Sequence, residues 1–235
     1  MKKIDKEHLE HPAKGVIGMT DFLLENGFYV GLRRVRRLMR KMGINAVYRK
    51  RSLSTPGPAV YIRPYLLRGL KVTHRNQVWS VDITYIPMKK GFMYLTAIID
   101  VYSRFIVAWG LHNTLDASNC IEVLKTAISR YGVPEIINSD QGCQFTSREW
   151  SEACAEHPEM KVSMDGRGRA KDNIWIERFW KTIKYEYIYI QPEENGADLF
   201  FGIKRFIDDY NYHRRHQGIN RTVPSKLYIR QVAWS

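Results

Sequence analysis

Three acidic residues of this chain could hold metal ions for phosphoryl transfer. Asp82 stands within VWSVDITYIP, residues 78–87, a stretch otherwise rich in strand-forming residues. An unpaired carboxylate inside a fold pays a large desolvation penalty, and aspartate is depleted in strands. Asp140 ends the apolar stretch PEIINSD, and Glu177 lies in NIWIERFWKTIKYEYI. Carboxylate oxygens are ligands of Mg²⁺, and two such ions, or Mn²⁺ in their place, can catalyse in-line displacement at phosphorus.

The elements that must position these residues alternate in a defined order. The apolar patterns predict strands over 78–87, 92–100, 105–110, 134–140 and 161–164. Helices are predicted over 116–131 and 147–157, with Asp116 and Ser147 as candidate N-caps. After a three-stranded meander and a crossover helix, the fourth strand should return parallel to the first. Asp140 would then lie beside Asp82.

A last core helix, predicted from Asn173 to about Ile188, supplies the third carboxylate. Its apolar stripe contains Ile176, Phe179, Trp180, Ile183 and Tyr187. A second face carries Asn173, Glu177, Lys181 and Lys184 at helical spacing. The stripe should anchor the helix and present Glu177 to the other two carboxylates, with Lys181 and Lys184 placed to hold a DNA backbone.

Each acidic residue also has a purely structural interpretation. Asp82 could be a paired or turn-facing aspartate, and Asp140 could cap the segment that follows it. Glu177 and Lys181 could form an ordinary ion pair one helical turn apart. The metal-site hypothesis rests on the three residues together, because the predicted strand order brings them to one place.

The positive charge of the chain is concentrated near its N-terminus. Residues 1–75 contain 17 Lys and Arg against 5 Asp and Glu, whereas residues 76–235 contain 20 against 19. A helix predicted within residues 28–43 has an apolar stripe of Leu32, Val35, Leu38, Met39 and Met42. A shorter helix from about Thr20 to Gly27 precedes it, so the pair fits a helix-turn-helix. The arginines of the longer helix could contact DNA phosphates, or they could simply be a solvated basic surface: Arg33, Arg34, Arg36, Arg37 and Arg40.

Composition shifts divide the chain into four predicted parts. Residues 1–46 form the helix-turn-helix-like DNA-binding module, and residues 47–75 form a basic linker. Residues 76–190 form the catalytic core, and residues 191–235 form a C-terminal helix, beginning at Asp198, with a basic tail. The fold class is α/β, a five-stranded mixed sheet flanked by helices and preceded by the small helical module.

Several protein classes are disfavoured. The sequence has no apolar run near the roughly 20 residues of a membrane span, and its first residues lack the apolar segment of a signal peptide. The three cysteines, Cys120, Cys143 and Cys154, form no disulfide pattern and suit a reducing compartment. We therefore expect a cytoplasmic protein that associates with the nucleoid when it acts.

These motifs also resemble a known family, the insertion-sequence transposases of the IS-three family, of the second-reading-frame (OrfB) type, with a DDE integrase-like core. The resemblance covers about residues 75–230, and GLRRVRRLMRKMGINAVY extends it to the front end. Five stretches carry it: VWSVDITYIP, YLTAIIDVYSRFIVAW, NSDQGCQFTS, SMDGRGRAKDNIWIERFWKTIKYE and YNYHRRHQGINRTVPSKLY.

The resemblance implies a ribonuclease-H-like core in which Asp82, Asp140 and Glu177 are the catalytic triad. It implies metal-dependent nicking at the ends of a mobile element, followed by strand transfer, with Lys181 and Lys184 along the DNA ends. The spacing of 36 residues between Asp140 and Glu177 is one longer than the family's usual spacing. Asp100 matches the family pattern but is not one of its acids, and we interpret it as a turn residue.

The resemblance also bears on partners. It implies double-stranded DNA as both element end and target, and a homo-oligomer on that DNA. Family members usually have more residues ahead of the helix-turn-helix, so an upstream-frame (OrfA) protein or fusion is a further expected partner. The alternative function is a catalytically inactive or truncated DNA-binding remnant that regulates transposition.

Overall fold

A computed structural model of the chain describes residues 1–47, 61–166 and 173–229. The chain folds as two compact units, Met1–Thr55 and Pro56–Ser235. No helix in the described part of the chain is both long enough and apolar enough to cross a bilayer.

The first unit contains three short helices around a small apolar core. They are α1 (Lys2–Glu10), α2 (Val16–Glu25) and α3 (Leu32–Lys41). Gly27 and Gly43 have φ angles of 80° and 68°, which glycine adopts readily, and they follow α2 and α3. The core is formed by one or two buried residues from each helix and one that follows α3: Ile4, Met19, Leu23, Val35, Met39 and Ile44.

Two expectations for this unit are corrected. The second helix begins at Val16 rather than near Thr20, because its first turn packs Val16 and Met19 against the core. Leu32, predicted in the apolar stripe of α3, is 47% exposed, and the buried residues of the helix are Val35 and Met39.

The second unit is built on one five-stranded mixed sheet in the order β3-β2-β1-β4-β5. β1 pairs antiparallel with β2, which pairs antiparallel with β3, whereas β1, β4 and β5 run parallel. The predicted parallel return of the fourth strand beside the first is therefore confirmed. The strands are β1 (Val78–Pro87), β2 (Phe92–Asp100), β3 (Ile106–His112), β4 (Ile136–Ser139) and β5 (Lys161–Met164).

One face of the sheet is covered by α4 (Ala117–Tyr131) and α5 (Arg148–Ala155). Ser147 caps α5 as predicted, because its Oγ accepts a hydrogen bond from the N–H of Trp150 at 3.1 Å. Asp116 occupies the N-cap position of α4, but its side chain makes no capping hydrogen bond, so that capping prediction is wrong. Gly132 ends α4 with a φ angle of 82°.

The other face is covered by α6 (Ile174–Ile183), a π-helical turn (Lys184–Ile188) and α7 (Gly196–Tyr212). The π turn brings Tyr187 over Gly202 of α7, where a Cβ atom would lie only 1.7 Å from the tyrosine Oη. Asn211 of α7 exchanges two hydrogen bonds with the backbone of Ile106 in β3. These contacts fix α7 on the sheet and support the end of α6.

The chain on either side of the core also packs against it. Leu67 and Val72 contact a cluster that includes Val78 of β1, and the N–H of Leu66 donates to Ser163 Oγ of β5 at 3.0 Å. The described part of the predicted linker thus contacts the sheet. After a 3₁₀ turn (Gln217–Ile219), α8 (Pro224–Tyr228) completes the fold. Residues 48–60 of the linker, residues 167–172 between β5 and α6, and residues 230–235 of the tail lie outside the described residues.

Candidate active site

Asp82 lies in the central strand, just past the part of that strand that pairs with β4. The last register pair between the two strands is Ser80 with Asn138, and across the other edge Asp82 faces Ala97 of β2. The side chain is half-buried and points to the face covered by α6, since its Oδ2 accepts a hydrogen bond from Trp180 Nε1 at 2.8 Å. Asp82 is therefore held between the sheet and the helix.

Asp140 follows directly after β4 and lies at the same edge of the sheet. Continuing the parallel register by two residues places it opposite Asp82. Its side chain is exposed, and Oδ1 accepts a hydrogen bond from the N–H of Gly142 at 2.9 Å. This local turn directs the chain away from the strand and leaves the other carboxylate oxygen toward solvent.

Glu177 lies in the first turn of α6, and its side chain is exposed. The predicted stripe holds this helix, because Ile176, Phe179 and Ile183 are at most 1% exposed. Trp180 follows Glu177 by three residues and is also buried. Residues three apart lie on adjacent parts of one helical face, so the Trp180–Asp82 hydrogen bond fixes where Glu177 stands relative to the strand.

Burial changes the chemistry of Asp82. The pKa of its carboxyl is raised from 3.8 to about 6, chiefly by desolvation, although the hydrogen bonds from Trp180 and from the backbone N–H of Ile83 lower it. The negative charges of Asp140 and Glu177 raise the pKa further by smaller amounts. The three predicted acids thus share one electrostatic environment.

The three carboxylates are neighbours but do not form a tight cluster. Among the described residues, the one group of three potential ligands within 4.8 Å of one another is Glu7, Glu10 and His11 in the first unit. In that group Glu7 is already paired with the ammonium group of Lys14. The side chains of Asp140 and Glu177 are exposed, whereas Asp82 is half-buried and held by Trp180.

A buried polar network under Asp140 was not found from the sequence. Asn138 is fully buried; its Nδ2 donates to Asp165 Oδ1 at 2.8 Å, and its Oδ1 accepts from Ser163 Oγ at 2.7 Å. Gln141 Nε2 donates to the carbonyl of Asp165 at 2.8 Å. These bonds tie the ends of β4 and β5 together beside the site. The sequence did carry a signal for this network, because Asn138 lies in an apolar strand and a buried amide needs hydrogen-bond partners.

The two lysines of α6 differ in their surroundings. Lys181 is exposed, as a contact with DNA requires. Lys184 is half-buried at the start of the π turn, and its Nζ donates to Thr84 Oγ1 at 2.6 Å. Burial lowers the pKa of Lys184, and the charge of Asp82 opposes that change. Thr84 shares the face of β1 that carries Asp82, so Lys184 lies along the same strand.

Asp100 has a structural role, as predicted for a turn residue. It ends β2, is fully buried, and accepts hydrogen bonds from the N–H and Oγ of Ser103 and from the N–H of Asn76. Its partners hold the turn between β2 and β3.

The arginines predicted to contact DNA are distant in sequence from the residues of the candidate active site. All five project from α3 of the first unit and are exposed: Arg33, Arg34, Arg36, Arg37 and Arg40. The described structure brings together the three acids, Lys184 and Trp180.

The fold defines the class of protein. The chain is similar to the HTLV-2 integrase catalytic core domain solved in complex with magnesium, with a TM-score of 0.53 and 22% identity over 66% of this chain and 97% of that one. It is also similar to a chain of the simian T-cell lymphotropic virus intasome in complex with PP2A regulatory subunit B56 gamma, with a TM-score of 0.59 and 18% identity over 99% and 76%. The second unit has the ribonuclease-H-like fold of an integrase catalytic core.

Sequence comparisons agree. Two models described as integrase core domain match residues 72–170 and 159–224, and a model described as HTH-like domain matches residues 1–52. The transposase for insertion sequence element IS904 of Lactococcus lactis is 32% identical over 233 residues, covering 95% of this chain and 90% of the relative. Transposase InsF for insertion sequence IS3A of Escherichia coli is 28% identical over 228 residues, covering 93% and 78%.

The chain therefore belongs to the insertion-sequence transposases of the IS-three family, and its function is DNA transposition. The core supports polynucleotidyl transfer. No comparison favours the inactive remnant that the sequence left as an alternative.

Asp82→Asn should stabilise the protein at neutral pH. Because the folded state raises the pKa of Asp82, ionisation opposes folding above pH 6, and this opposition fades as pH falls toward 3.8. Two pKa units correspond to about 1–3 kcal/mol after allowance for partial exposure. The melting temperature at pH 7.5 should rise by several degrees, and the gain should shrink at pH 4.5. Asp140→Asn, at an exposed carboxylate, is the control; equal gains in both variants would contradict a burial effect at Asp82.

Trp180→Phe should raise the pKa of Asp82 further, because it removes the indole N–H that stabilises the carboxylate while filling much of the same space. The difference in melting temperature between pH 4.5 and pH 7.5 should be larger than in the wild type. Trp175→Phe changes the same residue type on the same helix, where the ring contacts Arg104. An identical pH response in the two variants would rule out the Asp82 contact as the cause.

Proposed function

We propose that Asp82, Asp140 and Glu177 form the catalytic triad and hold two divalent metal ions, Mg²⁺ or in its place Mn²⁺, for DNA nicking and strand transfer. The observation that carries the proposal is the register of β1 and β4. Its continuation sets Asp140 opposite Asp82, and the helix that carries Glu177 is hydrogen-bonded to Asp82 through Trp180.

The residues present fit such ions. The donor set consists of three carboxylates, which are hard oxygen ligands suited to Mg²⁺. Asp82 offers a fixed carboxylate whose ionised form is destabilised by burial, so a nearby cation would favour the charged form. Asp140 and Glu177 are exposed and can turn toward a shared ligand. When bound, the ions would lower the pKa of the attacking hydroxyl and stabilise the leaving oxygen.

The proposed reaction has two displacements at phosphorus. In the first, a water oxygen bonds to the phosphorus at the element end, and the bond to the 3′ oxygen breaks to give a free 3′-hydroxyl. In the second, that 3′-hydroxyl oxygen bonds to a target phosphorus, and the target strand's own 3′ oxygen leaves with a proton. The first step converts one phosphodiester and one water into a 5′-phosphate and a 3′-hydroxyl, and the second exchanges one phosphodiester for another. Neither step changes an oxidation state, so no redox partner is needed.

The chain's own residues orient these steps. Trp180 donates to Asp82 Oδ2 and so holds the carboxylate in a fixed orientation. The Asn138–Ser163–Asp165 network holds the end of β4 in register, which fixes the start of the turn that carries Asp140. Lys181 is exposed on the turn after Glu177 and can contact a DNA phosphate. Lys184 can contribute once it leaves Thr84.

The first unit supplies a second contact with DNA. Helix α3 presents five arginines to solvent and buries Val35 and Met39. This arrangement suits phosphate binding at an element end. By analogy with the bacterial relatives we place the reaction in the cytoplasm on nucleoid DNA. A homo-oligomer on DNA and an upstream-frame protein or fusion remain expectations from the family.

Glu177→Gln should abolish metal-dependent nicking and joining. The test is a cleavage and strand-transfer assay with Mg²⁺ or Mn²⁺ on a duplex that carries the element's own terminal repeat. Loss is expected because the amide keeps the shape of the side chain but removes its charge. Glu122→Gln on α4 is the matched control at another exposed glutamate. Retained cleavage in Glu177→Gln would remove Glu177 from the triad, and absent cleavage in a DNA-binding wild type would favour a remnant.

Replacing Arg33, Arg36 and Arg40 together by Ala should flatten the salt dependence of DNA binding. Each phosphate contact contributes about −0.9 to the slope of log K against log salt, so the slope should become less steep by about 2–3. Lys2, Lys3 and Lys6 on α1, changed together to Ala, give the same change in net charge within the same unit. An equal flattening in both triple variants would show that net charge, not contact by α3, sets the slope.

A further inference from the structure

The hairpin formed by β1 and β2 extends well past the candidate active site. β1 pairs with β4 only as far as Ser80, whereas its pairing with β2 continues to Pro87. The strand therefore runs five residues beyond Asp82, roughly 17 Å, with one edge not covered by β4. We call this projecting hairpin, residues 83–95, the aromatic arm.

Three rings cluster on one side of the aromatic arm. Tyr85 lies directly opposite Tyr94 in the register, and their ring centroids are 5.1 Å apart. Phe92 completes the cluster at 5.5 Å from Tyr85 and 5.4 Å from Tyr94. Tyr85 is 57% exposed and Phe92 is 51% exposed. Cross-strand pairing alone would stabilise a hairpin, but it does not require ring faces open to solvent.

The aromatic cluster lies on the face of the sheet opposite Asp82, because side chains alternate along β1. That face also carries the loop that follows Asp140: Phe145 packs in the core of that face with Val81, and Gln144 Nε2 bonds to the carbonyl of Leu115 just before α4. The arm therefore extends past the edge where Asp82 and Asp140 lie, with its rings on the other face of the sheet.

The chemistry of the arm favours nucleic acid over protein. Its exposed large hydrophobic side chains are the aromatic Tyr85 and Phe92, while Met88 and Met93 are packed against the core on the other face. Lys89 and Lys90 lie exposed at the tip, and Lys89 pairs with Glu194. Aromatic rings beside cations are the combination that binds unpaired nucleotides, with rings stacked on bases and cations near phosphates.

We propose that the aromatic arm binds unpaired bases of the DNA substrate by stacking them on Tyr85 and Phe92. The inference rests on the proposed DNA chemistry of the triad and adds a binding surface to it. Unpaired bases arise when strands near a nick separate, and a stacking surface on the other face of the sheet would hold them away from the reacting phosphate.

The test compares two DNA probes in binding assays on the full chain without divalent ions. Both are duplexes with the same short single-stranded overhang, one with normal bases and one with abasic residues in the overhang. The wild type should bind the base-containing probe about 5- to 100-fold more tightly. Tyr85→Ala and Phe92→Leu should reduce that ratio toward one, whereas Tyr85→Phe should preserve it. Phe201→Ala, at an exposed aromatic residue on α7, is the matched control.

Three results would overturn the proposal. The first is equal binding of the two probes by the wild type, which needs no variant and so does not depend on folding of the altered hairpin. The second is a ratio unchanged in Phe92→Leu when circular dichroism shows a folded protein. The third is a lower oligomeric state of Tyr85→Ala in sedimentation with an unchanged ratio, which would assign the arm to a contact between copies. Because the assay measures binding and not cleavage, its result can be interpreted even if the proposed triad is inactive.

Discussion

The hydrogen bond from Trp180 to Asp82 joins the two parts of the candidate active site. A carboxylate in the central strand of a sheet is unfavourable unless it is stabilised, and the pKa of Asp82 is raised to about 6, chiefly by burial. The indole N–H provides one fixed donor at 2.8 Å. Because Trp180 and Glu177 share a helix, the contact that stabilises one acid also sets the position of another. A shift of α6 by one residue would rotate Glu177 by about 100° and remove the donor.

The rest of the second unit can be understood as support for that contact. Below the strand, α6 is anchored by Ile176, Phe179 and Ile183. Beyond them, the π turn places Tyr187 against α7 where only a glycine, Gly202, leaves room. Asn211 then attaches α7 to β3 through two backbone hydrogen bonds. These contacts resist sliding of α6 along the sheet, so the geometry of an exposed site depends on interactions at the buried side of the helix.

Much of this arrangement could be predicted from sequence because it depends on local pattern and chain topology. The bounds of β1, β2 and β5 agree with the alternating residues that predicted them. The stripe of α6 is buried as its spacing indicated. The handedness and short length of chain connections predicted the parallel β1–β4 pair, and the register of that pair supports the proximity of Asp140 to Asp82.

Features that depend on distant partners were harder to predict. α1 contains few apolar residues, and its place is set by Ile4 packing against the other two helices. Asp116 has the residue type and position of an N-cap, but its side chain makes no such bond. Trp180 was predicted as a core residue; a buried indole also needs an acceptor for its N–H, and Asp82 in its strand needed a donor. Those two requirements together could have linked the residues from the sequence.

Lys184 has two possible partners near the acids, the hydroxyl of Thr84 and a DNA phosphate. Sequence spacing and the family resemblance both predicted a contact with DNA, whereas its Nζ donates to Thr84 on the strand of Asp82. Burial lowers its pKa and the aspartate opposes this, so the lysine lies in the field of the acids. A DNA phosphate brings a stronger acceptor than a threonine hydroxyl, because charge-assisted hydrogen bonds are roughly twice as strong as neutral ones. Exchange of Thr84 for a phosphate would therefore move positive charge toward the substrate as it arrives, and the proposed metal ions would then have to neutralise the acids.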